Sequence, residues 1–358
     1  MKKVSFLVTD DRIAHFFTHP IRKNLHRLRE LGYAVSITAD PSPSPRALAA
    51  DVVCVLSKRC SADWKRPETV FALVDKLRRE ADRVVWLDDS DSCGVTHFEL
   101  LPVVDRYLKK QLYRDMTLYE RPLYGDRLFT DFYHRRFGVT DPEPYASAFL
   151  DPALAHKVGL SWHIGLGDMI GDVRHPLLKR LRRRLPPTYP RRLHSPRAPR
   201  PLDFMFRGSR KYGRPTVSFH RERMGEILDA MQGVRAALRG FVSVRQYIRE
   251  TMEAKIVVSP FGWGELGVRD FEALLYGAAL MKPDMEHMRT FPELFVPGRT
   301  YQSIAWDFSD LESGIRELVA DEPRRLALAE AGQQAYRDTI SEAGMERFCE
   351  HFVRQLTF

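Results

Sequence analysis

The sequence predicts an α/β protein made of two Rossmann-like, doubly wound parallel-sheet domains. Three observations point to it. Strand-like and helix-like stretches alternate along the chain, the pattern of parallel βαβ units. Within Lys255–Asp284 an apolar strand, a glycine-rich loop and an amphipathic helix follow one another, and in an open α/β sheet such a loop lies where ligands bind. Finally, 358 residues suffice for two ordinary cores, and a basic, proline-rich stretch parts them.

In the first half, Lys3–Thr9 is a strand broken by Asp10-Asp11-Arg12. Pro20 suits a first helical turn, and Leu25, Leu28 and Leu31 form an apolar stripe before Gly32, so a helix is expected over Pro20–Leu31. Ala34–Thr38 and Asp51–Leu56 read as strands around a proline-rich loop, Val70–Ala81 as helix and Arg83–Leu87 as a buried strand. Asp89-Ser90-Asp91 follows. Two carboxylates at that spacing can hold a hard cation together with phosphate oxygens; the same residues also suit an exposed turn that caps a helix. From Leu100 to Phe137 aromatic and basic residues interleave. Tyr124 and Tyr133 are candidates for a wall facing a saccharide, the composition resembles a nucleic-acid surface, and half-buried structural tyrosines would look the same. Trp162-His163-Ile164-Gly165-Leu166-Gly167 lacks the third glycine of a dinucleotide fingerprint and reads as a turn.

Lys179–Arg200 packs arginines among prolines, as a stiff connection between domains would; an acidic membrane surface would also attract it. The second half opens with a strand, Leu202–Phe206, and the loop Arg207-Gly208-Ser209-Arg210-Lys211. Helices are expected over His220–Gln232 and Val244–Ala254. Ile256–Val258 is the core of the next strand, which stops at Ser259-Pro260; Gly262, Gly264 and Gly267 form the loop, a helix starts near Val268, and Ala279-Leu280-Met281 resumes an extended run. A strand over Tyr301–Trp306, a helix from about Leu311 capped by Ser309 or Asp310, and a last helix over Glu346–Leu356 complete the chain. The domains expected are 1–178 and 202–340, joined by 179–201 and followed by a helix at 341–358.

Composition excludes several classes. With 44% hydrophobic and 29% charged residues the chain has the make-up of a soluble globular protein rather than a disordered one. No window is apolar enough to span a bilayer, and the first residues are too short in their apolar part for a signal peptide, so a cytoplasmic location is expected, with contact at the inner membrane face through 179–200. Cys54, Cys60, Cys93 and Cys349 lack the spacing of a zinc site or disulfide framework. A net charge of +9 favours an anionic partner without choosing among nucleotide sugar, phospholipid and nucleic acid.

Arg269 and Glu272 share one helix face near its positive end. The arginine can fork onto a diphosphate and the carboxylate can accept from the two hydroxyls of a ribose; an ordinary surface salt bridge is the other reading. The string S-P-x-G-x-G-E followed by R-x-x-E-A-L-x-x-G, at 259–265 and 269–277, resembles the carboxyl-terminal domain of GT-B glycosyltransferases of the group 1 and exostosin-like kind. The resemblance implies a GT-B architecture with an interdomain cleft and donor-binding roles for Ser259, Gly262, Gly264, Arg269 and Glu272. The usual second glutamate would fall at Gly264, with Glu265 beside it, which leaves the role of Glu265 open. Gly208, Ser209, Arg210 and Arg214 resemble the loop that grips the donor diphosphate. The implied reaction moves a sugar from a nucleotide diphosphate such as UDP to a saccharide or lipid-linked glycan in polysaccharide biosynthesis, without metal, cofactor or nucleic acid. Asp11, His15, Asp89 and Asp91, at strand ends, are the candidate catalytic bases. A metal-dependent GT-A transferase using Asp89 and Asp91, a sugar-nucleotide epimerase and a basic nucleic-acid-binding protein are the alternatives.

Overall fold

The computed structural model describes residues 1–43, 48–61, 63–167, 189, 193–238 and 240–357. Most of the basic, proline-rich stretch, and the domain boundary expected at 178, lie outside the described residues.

Five strands in the first half, β1 (Lys2–Leu7), β2 (Tyr33–Thr38), β3 (Val52–Leu56), β4 (Arg83–Asp88) and β5 (Arg106–Lys109), form one parallel sheet. The next strand, β6 (Gln111–Tyr113), leaves it, and β7 (Val158–Leu160) rejoins it, in the order β2-β1-β3-β4-β5-β7. The second half builds another wholly parallel sheet from β8 (Leu202–Phe206), β9 (Ala236–Leu238), β10 (Ala254–Val258), β11 (Ala279–Pro283) and, after β12 (Met288–Thr290), β13 (Gln302–Ile304). Its order is β13-β11-β10-β8-β9. These are the two doubly wound α/β sheets expected. Both change winding direction at a definite place, between β1 and β3 in one sheet and between β8 and β10 in the other, and the crevice at such a point is where an open sheet binds ligands.

Local chemistry moved several elements. The helix expected over Pro20–Leu31 is two: α1 (Arg12–Lys23) and α2 (Leu25–Glu30). Asp11 starts α1 early by accepting from the N–H groups of Ile13 at 2.8 Å and Ala14 at 3.1 Å, so Pro20 falls inside the helix. The chain breaks at Asn24, whose side chain takes the Pro20 carbonyl at 2.7 Å. Helices α3 (Pro67–Glu80) and α4 (Leu128–Phe137) complete the first half. In the second, α5 (Pro215–Ala230) begins before the expected His220 because Asp141, from the first half, accepts from the Thr216 N–H at 2.9 Å and its hydroxyl at 2.8 Å. Next come α6 (Val244–Glu253), α7 (Val268–Leu275), α8 (Leu311–Ala320), α9 (Glu322–Thr339) and α10 (Glu342–Gln355). Ser341 caps α10, accepting from the Gly344 N–H, and so starts it ahead of Glu346. This last helix packs on the first sheet, Phe352 against Phe6 and Phe348 against Trp162.

The halves are joined along a broad seam. β6 pairs antiparallel with β12, setting Gln111 opposite Thr290 and Tyr113 opposite Met288. Arg127 Nε donates to the Trp263 carbonyl at 2.9 Å, and the buried Tyr133 hydroxyl contacts His220 and the Trp306 carbonyl. Tyr133 is therefore core and no saccharide-facing wall. Tyr124 is half-buried, stacked on His134 with ring centroids 3.8 Å apart. Among the described residues no helix is long and apolar enough to cross a membrane.

Candidate nucleotide-sugar site

The loops that follow β8 and β10 meet at the winding change of the second sheet. Gly208 has φ +141°, a conformation few residues but glycine adopt, and a Cβ there would stand 2.7 Å from Arg269 Nη2 and 3.5 Å from Arg221 Nη2. Two guanidinium groups thus approach the space that a side chain at Gly208 would take. Arg221, on the buried face of α5, donates to the Ser209 carbonyl at 2.7 Å and the Phe261 carbonyl at 2.8 Å. Arg269, in the first turn of α7, donates to the Arg207 carbonyl, lies 5.2 Å from the Phe206 ring centroid, and has a buried Nε without a partner. Among the described residues neither is paired with a carboxylate. Burial draws the Arg221 guanidinium down to about 10, and the neighbouring Arg269 charge pushes the same way. Asp270 acts on Arg221, and Glu272 on Arg269, from farther off.

Glu272 lies one turn along α7 and accepts from the Tyr247 hydroxyl at 2.7 Å. Burial raises its carboxyl, while Tyr247, Arg269 and, from the first half, Arg12 pull it back. Glu272 therefore sits within the field of both halves, and among the described residues no ion pair joins it to Arg269. The surface salt bridge is not what this pair makes. At the start of α7, Gly267 is exposed with nothing within 4 Å of the place a Cβ would take, and its N–H donates to Asp270 at 2.8 Å. Lys282, buried, ties Asp270 at 2.8 Å to the Glu265 carbonyl at 2.7 Å, which fixes the loop from below.

Several expected site residues are occupied elsewhere. Arg210 forms a two-pronged ion pair with Asp229 at 2.7 and 2.8 Å. Arg214 donates to the Glu143 carbonyl at 2.7 Å and lies over the Tyr145 ring. Neither guanidinium points at Gly208. Gly264 meets no phosphate-sized space, because a Cβ there would fall 1.6 Å from the Asp91 carbonyl oxygen; it is glycine so that the two halves can touch. Glu265 belongs to the same junction, accepting from the Ser92 hydroxyl at 2.9 Å and from the Cys93 N–H and Gln111 amide at 3.1 Å. Ser259 is buried in the sheet, its N–H donating to the Met281 carbonyl. The Ser209 hydroxyl turns its own loop, bonded to the Lys211 carbonyl at 2.6 Å. Gly262 stands beside the Tyr212 hydroxyl, at 3.4 Å from its missing Cβ.

Of the candidate bases, Asp89 is buried and held by the Ser57 hydroxyl at 2.6 Å and the Lys58 N–H at 3.0 Å, whereas Asp91 is exposed and 3.3 Å from Lys110. The two carboxylates face different partners, and among the described residues no three His, Cys, Asp or Glu side chains come together as a metal site would require. Asp11 is committed to capping α1; burial would raise its pKa, but Thr9, the α1 N–H groups and Lys58 hold it below the usual value. His15 is different. It lies half-buried in the first turns of α1, at the winding change of the first sheet, with Nε2 3.0 Å from Asp10. Arg12, Tyr247 and Arg221, which surround Glu272 and Gly208, are residues that the sequence does not single out.

No family model and no curated protein matches the sequence. Among solved structures, T4 phage BGT in complex with its UDP-glucose substrate aligns over 100% of both chains at 10% identity with a TM-score of 0.48. An alpha-glucosyltransferase in complex with UDP and a 13-mer DNA aligns over 99% of this chain and 100% of that one, at 11% identity and 0.46. Sucrose-phosphate synthase from Thermosynechococcus elongatus aligns over 99% of each, at 12% and 0.43. At such identities and scores the likeness goes to the course of the chain and carries no chemistry across.

Proposed function

We propose that this protein is a glycosyltransferase that takes a sugar from a nucleoside diphosphate and passes it to a hydroxyl of a saccharide or lipid-linked glycan. The observation that carries the reading is the pair Arg221 and Arg269, brought to one face of Gly208 and, among the described residues, in no ion pair with a carboxylate. A diphosphate supplies the missing charge, and the first turn of α7 adds N–H groups and a positive dipole end. Glu272, held by Tyr247, accepts from the ribose hydroxyls. As the acceptor oxygen bonds to the anomeric carbon and the bond from that carbon to the phosphate oxygen breaks, negative charge grows on the diphosphate and the guanidinium groups stabilise it. His15, oriented by Asp10, takes the acceptor proton.

Calorimetric titration with UDP, GDP and ADP tests the reading. Losing one charge-assisted phosphate contact costs about 2–3 kcal/mol, so Arg269→Met is expected to weaken the preferred diphosphate by roughly 30- to 150-fold, with Arg221→Lys intermediate. Arg210→Met, which removes only the partner of Asp229, is expected to change affinity by less than about twofold. Undiminished binding by Arg269→Met would refute the assignment.

A further inference from the structure

Near the guanidinium pair is an indole that the fold leaves partly uncovered. Trp263 is 37% exposed, in contrast to Trp86 and Trp162, which are buried. Its backbone, by contrast, is pinned on every side. The Gly262 N–H donates to the Gly264 carbonyl at 3.0 Å across the turn, the Trp263 carbonyl is held by the buried Arg127 at 2.9 Å, and Gly264 rests against Asp91. A fixed turn presenting an exposed ring differs from a stray surface aromatic, whose loop has no reason to be rigid. Tyr212 meets the indole edge-on with centroids 5.3 Å apart, and the Arg221 guanidinium lies 4.9 Å from the Tyr212 ring centroid. One aromatic ring therefore separates the phosphate-holding cation from the indole.

We infer that Trp263, with Tyr212 at its edge, is the platform on which the transferred pyranose of the donor packs, and that it is a specificity-determining residue. A hexose joined to a diphosphate at Arg221 has its ring one ring-width beyond the phosphate, and it carries a patch of C–H groups that an indole face covers while its hydroxyls stay in water. The inference rests on the proposed function, since a ribose at Glu272 and a diphosphate between the guanidinium groups set which end of the ligand faces Trp263. An acceptor packed on the same ring is the competing occupant.

The test compares each ligand with and without its sugar: UDP against UDP-glucose, or GDP against GDP-mannose if the guanine nucleotide is the one that binds. Trp263→Ala is expected to weaken the sugar nucleotide by roughly three- to tenfold and the free diphosphate by less than twofold, while Trp263→Phe keeps most of the difference. Addition of the sugar nucleotide, beyond what the diphosphate does, should shift the fluorescence of the wild type, and that extra shift should be missing in Trp263→Phe. If neither diphosphate binds the wild type, the proposed function fails and this inference with it. If the diphosphate binds but Trp263→Ala weakens both ligands equally, or neither, the platform is overturned and the donor site stands. Loss confined to the acceptor Michaelis constant overturns it as well, in favour of the acceptor.

Discussion

The junction at Glu265 offers the sharpest test of how the two halves are held. Its carboxylate is wholly buried and accepts from Ser92, Cys93 and Gln111, all from the first half, with His287 Nε2 3.7 Å away. Glu265→Gln keeps the shape, and its amide can donate to the Ser92 hydroxyl while its oxygen still accepts from Cys93 and Gln111, but the charge is gone. Each of these bonds falls from the charge-assisted range to the neutral one, about 1 kcal/mol apiece, so a loss of about 2–4 kcal/mol at pH 7 is expected. Burial works to raise the Glu265 pKa, but His287 and the Ser92 hydroxyl prevail and hold it below its ordinary 4.5. A carboxyl lowered on folding stabilises the protein above its unfolded value, and that stabilisation is lost as the pH falls through the folded one. The gap between wild type and Glu265→Gln in urea unfolding, followed by fluorescence and circular dichroism, should accordingly be widest near pH 7 and close below pH 4.5. A gap under about 0.5 kcal/mol at pH 7, or one that widens in acid, would refute the account.

Lys282→Met should destabilise the protein by about 3–5 kcal/mol in the same urea assay, because it strands the buried Asp270 carboxylate, whose Oδ1 already lacks a partner; a change under 1 kcal/mol would show that Asp270 finds another cation. His15→Asn is expected to lower kcat by about 10²–10⁴-fold with donor affinity unchanged, and Asp10→Asn to lower it less, since it only orients the ring. Steady-state transfer assays with calorimetric donor binding separate the two, and a His15 variant with normal kcat would remove it as the base.

What could be read in the sequence was what local signals specify. β8 comes out as Leu202–Phe206 and α7 begins at Val268, because an apolar run ended by a loop glycine, and a glycine followed by an amphipathic repeat, each leave their mark within a few residues. The place of Arg269 and Glu272 in the first turns of α7 is legible for the same reason. The start of α1 has a local signal in Asp11, a good N-cap, but Pro20 suits a first helical turn and points to a later start; in the structure Pro20 lies inside the helix, which ends where the Asn24 side chain takes the Pro20 carbonyl. Arg210 and Arg214 were misplaced because their partners, Asp229 and the Asp141–Tyr145 segment, are distant in sequence. Arg221 carries no local mark, since an arginine on a helix reads as a solvated face until the structure shows that face buried. β6 and β12 are three residues each and too short to show a period.

The loop after β10 carries two glycines with opposite duties. Gly264 gives up its side chain to let the Asp91 backbone press against it, which hands Glu265 to the first half as a buried acceptor. Gly267 faces open space at the head of α7. Fixing one end of the loop to the opposite half holds the other end, and Arg269 with it, at a set distance from Arg221. Like charges placed so close repel, and backbone carbonyls, aromatic faces and the nearby Asp270 and Glu272 carboxylates offset that repulsion. On the proposed function, a diphosphate entering between them would add to that offset with the arginines already in place, so the energy of assembling a cationic site would be met during folding, by the same buried junction that Glu265 closes.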